Sequence, residues 1–409
     1  MENNKTKIAN INTNVKNNSK NRKHKSGFAL FWKRLFRRDT RSFKMNKKFY
    51  LTSIIVLSAL FVFSIAFIIV DRTTNLINYT PSPSEQAGWP TKLLAPFADM
   101  TSWVPTSSEY SDNGVPNLEK VSDETGLLYY HFGFIQPSTT KPLDSEGNIR
   151  WCWGGYDSIS ENGADAYQYS GIINQMQKVR DLGGDFCISF GGQYGKAPWI
   201  VSQDENKLYQ MYLDVIKTYN CKRIDLDIEE SNQGENENIV NARAIKRVQD
   251  ETGVAVSLTI PIMPYGWEQK QINILKAYLN SGVDISLINS MTMCYGAGLL
   301  SGEDYGDASV RAITNAVEQM QTIYSNLGIN LTPAQAYAKT GATMAIGYES
   351  SLYPTFTVAM AKKVANDAIK NNYGMISYWS INRDAKMESN QAITNIYTYF
   401  DALKGYAES

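Results

Sequence analysis

The residues best suited to chemistry in this 409-residue chain fall in one short stretch, Arg-Ile-Asp-Leu-Asp-Ile-Glu-Glu at 223–230. Ile224, Leu226 and Ile228 alternate there with Asp225, Asp227 and Glu229. A period of two is that of a β-strand, so the three carboxyls share one face. Residues two apart on a strand stand about 7 Å from one another, close enough for like charges to disfavour full ionisation. Such crowding keeps one carboxyl protonated near neutral pH, as a general acid must be, and Glu229 at the end of the row is the expected proton donor. Two other readings compete: an acidic strand facing water, and a calcium site with Asp/Asp/Glu ligands. A helix-loop-helix calcium loop needs polar turn residues and a glycine where this stretch has Leu and Ile, and a strand covered by helices has no face open to water.

Ser189, Gly191 and Gly192 form a second group in the run Cys-Ile-Ser-Phe-Gly-Gly at 187–192. No histidine lies nearby to activate the serine, so this group is expected to let backbone approach a substrate rather than to react. The chain has two histidines, His24 and His131, and the second reads as a barrel residue. Four cysteines at 152, 187, 221 and 294 show neither a CxxC pair nor metal-ligand spacing, so no metal and no cofactor is expected. Outside a reducing compartment Cys187 and Cys221, on successive expected strands, are the pair most able to bridge; free buried thiols are the expectation.

Short β-rich runs that alternate with amphipathic helical stretches must position these residues. Strands are expected at Leu127 to Ile135, near Cys152, Asp185 to Gly191, Arg223 to Glu229, Val254 to Pro261, Ile285 to Tyr295, Ala342 to Gly347 and Gly374 to Ser380. Leu208, Met211, Tyr212, Val215, Ile216 and Tyr219 recur at three-and-four spacing, as do Val310, Ile313, Val317, Met320 and Tyr324, so each set marks one buried helix face. Further helices are expected over Phe356 to Lys370 and Asn390 to Leu403. Eight strands with helices between them imply an α/β fold of the closed (β/α)8 TIM-barrel kind, with an open doubly wound sheet as the competing architecture.

The formal net charge of zero conceals a division along the chain. Residues 1–50 hold 15 Lys and Arg against 2 acids, and the remainder holds 25 against 38. Between them, residues 51–70 carry no charge and are long enough to cross a bilayer as a helix. We therefore expect a basic cytoplasmic tail (1–50), a single transmembrane helix (51–70), a linker (71–92) and an extracytoplasmic barrel (93–409), oriented by the excess of positive charge before the span. A cleaved signal peptide ending near Ser64-Ile65-Ala66 is the rival reading, and would leave the barrel secreted. No nucleic-acid fold signature follows the basic tail, and a monomer is expected.

The row Asp225, Asp227, Glu229 resembles the last three acids of the DxxDxDxE motif of glycoside hydrolase family 18, the chitinases. Around it, 187–195 is similar to the family's SxGG segment, 257–266 to its fifth-strand segment, and 288–296 and 377–384 to its sixth and eighth strands, in the same order. Two positions depart from the pattern: Lys222-Arg223 stand where the family has Asp and a following Gly, and Cys294 stands where an Asp is often found. The resemblance implies hydrolysis of β-1,4-linked N-acetylglucosamine polymers by a substrate-assisted, retaining route, in which the sugar's 2-acetamido oxygen attacks its own anomeric carbon. Glu229 would protonate the leaving oxygen, Asp227 would hold the acetamido nitrogen, and Asp225 would share charge with Asp227. Tyr295 is the candidate to steady the acetamido group, or else it only packs. Trp379 would floor a pyranose ring, Met293 would line the same site, and Trp153 with Trp267 would extend the surface. A barrel that binds sugar without efficient turnover, and a hydrolase of peptidoglycan or N-glycans, are the alternatives.

Overall fold

The computed structural model describes residues 89–409; the basic tail, the 51–70 stretch and all but the last residues of the expected linker lie outside the described residues. Among the described residues no helix is long and apolar enough to cross a membrane.

Eight parallel strands close on themselves: β1 (Leu93–Leu94 and Phe97–Asp99), β2 (Tyr129–Pro137), β3 (Asp185–Gly191), β4 (Arg223–Asp227), β5 (Ala255–Pro261), β6 (Ile285–Met291), β7 (Thr340–Ala345) and β8 (Met375–Trp379). The seam joins chain start to chain end, with Leu93 opposite Met375 and Phe97 opposite Trp379. The ring is the expected (β/α)8 barrel, with one exchange of strands. Trp151–Trp153, expected as a barrel strand, instead runs antiparallel to the end of β2 as a hairpin arm. The missing strand is β1, in a stretch to which no element was assigned. Pro96 has no N–H to give to a ladder and breaks β1 into pieces of two and three residues, too short to show a period.

The helix faces pack as the spacing predicts. Leu208, Met211, Tyr212, Val215, Ile216 and Tyr219 are buried on the helix Glu205–Tyr219, whose N-cap Asp204 accepts from the Asn206 and Lys207 amides. Ile313, Val317, Met320 and Tyr324 are buried on Tyr305–Ser325, and Val310 is half-buried at the margin. The last helix is shorter than expected: it spans Thr398–Ala407 and follows Tyr397 at φ 56°, so the polar run from 390 is loop. At the amino ends of the strands Trp89 caps the barrel. Its indole donates to Asp185 Oδ2 at 3.1 Å, packs on Tyr129 with centroids 4.9 Å apart, and lies 4.6 Å beneath the Arg223 guanidinium.

Candidate active site

Strand β4 brings its carboxyls to the carboxyl end of the barrel, where enzymes of this architecture assemble their sites. Its neighbours hold it in register, with Ser189 and Ser257 opposite Asp225 and Gly191 and Thr259 opposite Asp227. Asp225 is fully buried and accepts three hydroxyl hydrogen bonds, from Ser189 (2.8 Å), Ser257 (2.6 Å) and Thr259 (2.8 Å). Burial pushes its carboxyl up, against the opposing pull of His131 and the three hydroxyls. Asp227, one step nearer the mouth, lacks that support. Its Oδ1 is buried with no hydrogen-bond partner among the described residues. Burial, then the charges of Glu229 and Asp225, hold its carboxyl well above the usual range, and its hydrogen bond to Glu229 favours keeping the proton on Asp227. Glu229 is half-buried, and burial and the Glu230 charge push it up to about 7 against the stabilising hydrogen bond from Asp227. The pair therefore holds at least one proton at neutral pH, and the outer member titrates there.

Trp379 ends β8 at the same end of the barrel, half-buried, stacked on Phe134 at 5.7 Å and tilted against Phe97 at 6.3 Å. Those two rings set the plane of the indole and leave part of it open. Met293 and Cys294 are half-buried in the loop after β6. Burial and the Glu349 charge push the Cys294 thiol up to about 12, so it stands neutral at the mouth.

Other expected site residues lie elsewhere. Trp153 is wholly buried and donates to the Tyr219 hydroxyl at 3.0 Å, so it belongs to the core beneath the hairpin and not to a sugar-binding surface. Trp267 is also buried, its backbone amide held by Gln319. Tyr295 is buried and turned into the helix layer, its hydroxyl donating to Ser309 at 3.5 Å. Strand β6 ends at Met291, and Cys294 takes φ 52°, so strand alternation no longer governs where Tyr295 points. Ser189 is buried and serves Asp225 rather than substrate. Gly191 and Gly192 bring backbone close to backbone rather than to substrate. A Cβ on Gly191 would sit 2.2 Å from the Asp227 carbonyl oxygen, and the Gly192 amide donates to that same oxygen at 3.1 Å. The two glycines thus brace Asp227.

Several residues of the site lie outside the acidic row and the glycine pair. Ser257 and Thr259 stand two apart on β5, the period that marks a shared strand face, and that spacing could have found them. Asn289 joins them, donating to Thr259 and accepting from Thr343. Loops at the same end of the barrel also expose aromatic rings: Trp103 after β1, Tyr194 after β3, Tyr265 after β5 and Tyr348 after β7. The four cysteines are free thiols.

Comparison with known proteins agrees with this geometry. No family model matches the chain. It is 28% identical over 309 residues to a probable bifunctional chitinase/lysozyme of Escherichia coli (strain K12), covering 72% of this chain and 31% of that protein. It is 28% identical over 306 residues to Endochitinase 11 of Metarhizium anisopliae, covering 72% of this chain and 53% of that one. The chain thus spans about a third and about half of the length of these curated relatives. Its fold is similar to the catalytic domain of a hyperthermophilic chitinase from Pyrococcus furiosus, with a TM-score of 0.62 at 22% identity, over 78% of this chain and 96% of that domain.

Proposed function

We propose that this chain, a chitinase-like protein of the glycoside hydrolase family 18 kind, hydrolyses β-1,4-linked N-acetylglucosamine polymers, with Glu229 as acid and base. The observation that carries the reading is the graded row of carboxyls along and just beyond β4: Asp225 saturated by hydroxyls, Asp227 held well above the usual carboxyl range with one oxygen unpartnered, and Glu229 poised near neutrality at the opening.

In the reaction Glu229 delivers its proton to the glycosidic oxygen as the bond to the anomeric carbon breaks, while the acetamido oxygen of the same sugar closes on that carbon. Asp227 turns its unpartnered Oδ1 towards the acetamido N–H, and the positive charge that develops there drives a proton held on Asp227 inward towards Asp225, so that the Asp227 carboxylate faces the cation. Water, deprotonated by Glu229, then opens the cyclic intermediate and returns the system to its starting state. Trp379 lies beneath the ring whose bond breaks, apolar face to apolar face. The exposed rings around the mouth suit a long polymer. We further propose that the barrel stands outside the cell on an uncleaved anchor at 51–70, and acts as a monomer; protease treatment of intact cells that leaves the barrel untouched would count against that placement.

The test is turnover of unmodified chitotetraose by the full chain and by Glu229→Gln, followed by product chromatography. Wild-type cleavage with loss in the variant supports the reading, and equal product from both sinks it. The neutral Cys294 thiol at the mouth favours a second reading, a sugar-binding barrel that turns over poorly. Saturable binding of chitotetraose without cleavage would select that one, and cleavage confined to peptidoglycan would change the polymer but keep the chemistry.

A further inference from the structure

Asn232 stands three residues beyond Glu229, in the single helical turn (Glu230–Asn232) that leads the chain away from β4, and it is fully buried. An amide side chain sealed from water must find its partners within the protein, and here both of its ends reach across to the loop after β3. Its Oδ1 accepts from the Ala197 amide at 2.9 Å, and its Nδ2 donates to the Gly192 carbonyl at 3.0 Å. Gly192 in turn donates its own amide to the Asp227 carbonyl at 3.1 Å, and the Asn232 amide donates to the Glu229 carbonyl at 2.8 Å. The four residues close a ring of hydrogen bonds, from Asp227 through Gly192 and Asn232 to Glu229, that ties both ends of the segment bearing the two carboxyls to one neighbouring loop. Between those ends the Ile228 amide donates to the Thr259 carbonyl of β5 at 2.9 Å. The Asn232 carbonyl is held as well, by the Trp199 indole at 2.8 Å and the Asn238 side chain at 3.0 Å. Such a tether matters because Glu230 takes φ 46°, a left-handed conformation that is unfavourable for a residue with a side chain and persists only where its neighbours enforce it.

We infer that Asn232 is a positioning residue for the acid: its side-chain amide, bridging Ala197 and Gly192, fixes the backbone turn from which Glu229 reaches the mouth, and so sets how Glu229 meets Asp227 and the glycosidic oxygen. Asn232 acts through the backbone and touches no substrate. An aspartate in its place would keep the acceptor for the Ala197 amide but set a second oxygen against the Gly192 carbonyl, opening the ring at the link that leads to Asp227. The inference rests on the reading of Glu229 as the acid.

The experiment measures bond cleavage in single turnovers, KM and Tm for the full chain, Asn232→Asp, Asn232→Ala and Glu229→Gln, on unmodified chitotetraose and on a chito-oligosaccharide with an acidic phenol as leaving group. Proton delivery limits the first substrate and hardly matters to the second. With the acid out of place, both Asn232 variants are expected to cleave chitotetraose about 10- to 100-fold more slowly, to cleave the phenol substrate much less slowed, and to leave KM little changed. Asn232→Asp, which keeps the volume and the Ala197 link, carries the test where Asn232→Ala does not fold. A residue that serves folding alone would lower Tm and slow both substrates in the same ratio, as a smaller active fraction does; that outcome, or unchanged cleavage of chitotetraose by Asn232→Asp, overturns the inference. If Glu229→Gln cleaves chitotetraose as the unaltered chain does, the reading of the acid itself fails, whatever Asn232 does.

Discussion

Glu229 and Asp227 share a proton in surroundings that differ by one step along a strand, and two predictions follow from that difference. The first concerns catalysis. Glu229→Gln should lower kcat on unmodified chito-oligosaccharides by about 10²- to 10⁴-fold, and should lower bond cleavage less for substrates with an acidic phenol as leaving group, which needs little protonation; burst kinetics with both substrates check this. The second concerns stability. A carboxyl raised in the fold to about 7 stabilises the folded chain below the ordinary glutamate range, and that contribution is lost as pH climbs through about 7. Thermal unfolding between pH 4 and pH 8 should therefore show a decline in wild type that Glu229→Gln lessens by about 1–3 kcal/mol, the raised Asp227 and Asp225 accounting for part of what remains. A parallel decline in both proteins would assign the effect to other groups. The alternation in residues 223–230 made the shared face legible, but the three hydroxyls that separate Asp225 from Asp227 come from β3 and β5, and one strand alone cannot reveal them.

At the level of elements, strand β3 can lie close to β4 beside Asp227 only because Gly191 lacks a side chain. Gly191→Ala would force a Cβ at φ 104° against the Asp227 carbonyl, and should cost about 2–4 kcal/mol in unfolding free energy as well as displacing Asp227. A further test separates the two tryptophans that looked alike in sequence. Trp379→Ala should raise KM for chitotetraose about tenfold or more, whereas Trp153→Phe should lower Tm and leave KM unchanged. Trp153 is expected from the sequence to extend the sugar-binding surface; what decides its side is the hairpin with β2, a pairing that spacing along the chain does not encode. Strands β3 and β5 keep their expected bounds closely, whereas β6 ends at Met291 rather than Tyr295 and β7 runs from Thr340 to Ala345 rather than from Ala342 to Gly347. The two pieces of β1 carry no sequence signal, because burial on both sides of a barrel wall leaves no alternation in so short a run.

Over the whole molecule, the order of strands and helices was legible because each strand is a β-rich run and each covering helix keeps a 3.6-residue period. The seam was not, since it depends on which residues meet after the chain has gone round once. There Leu93 lies beside Met375, and the Lys92 ammonium donates to the Ser409 backbone oxygen at 3.0 Å. Both ends of the described chain thus meet on the side away from Glu229 and Trp379. The barrel is consequently a candidate for circular permutation: a short bridge from 409 to 89, keeping the Trp89 cap, with new ends opened in the exposed turn around Gly328, would cut no barrel strand and leave the mouth unobstructed.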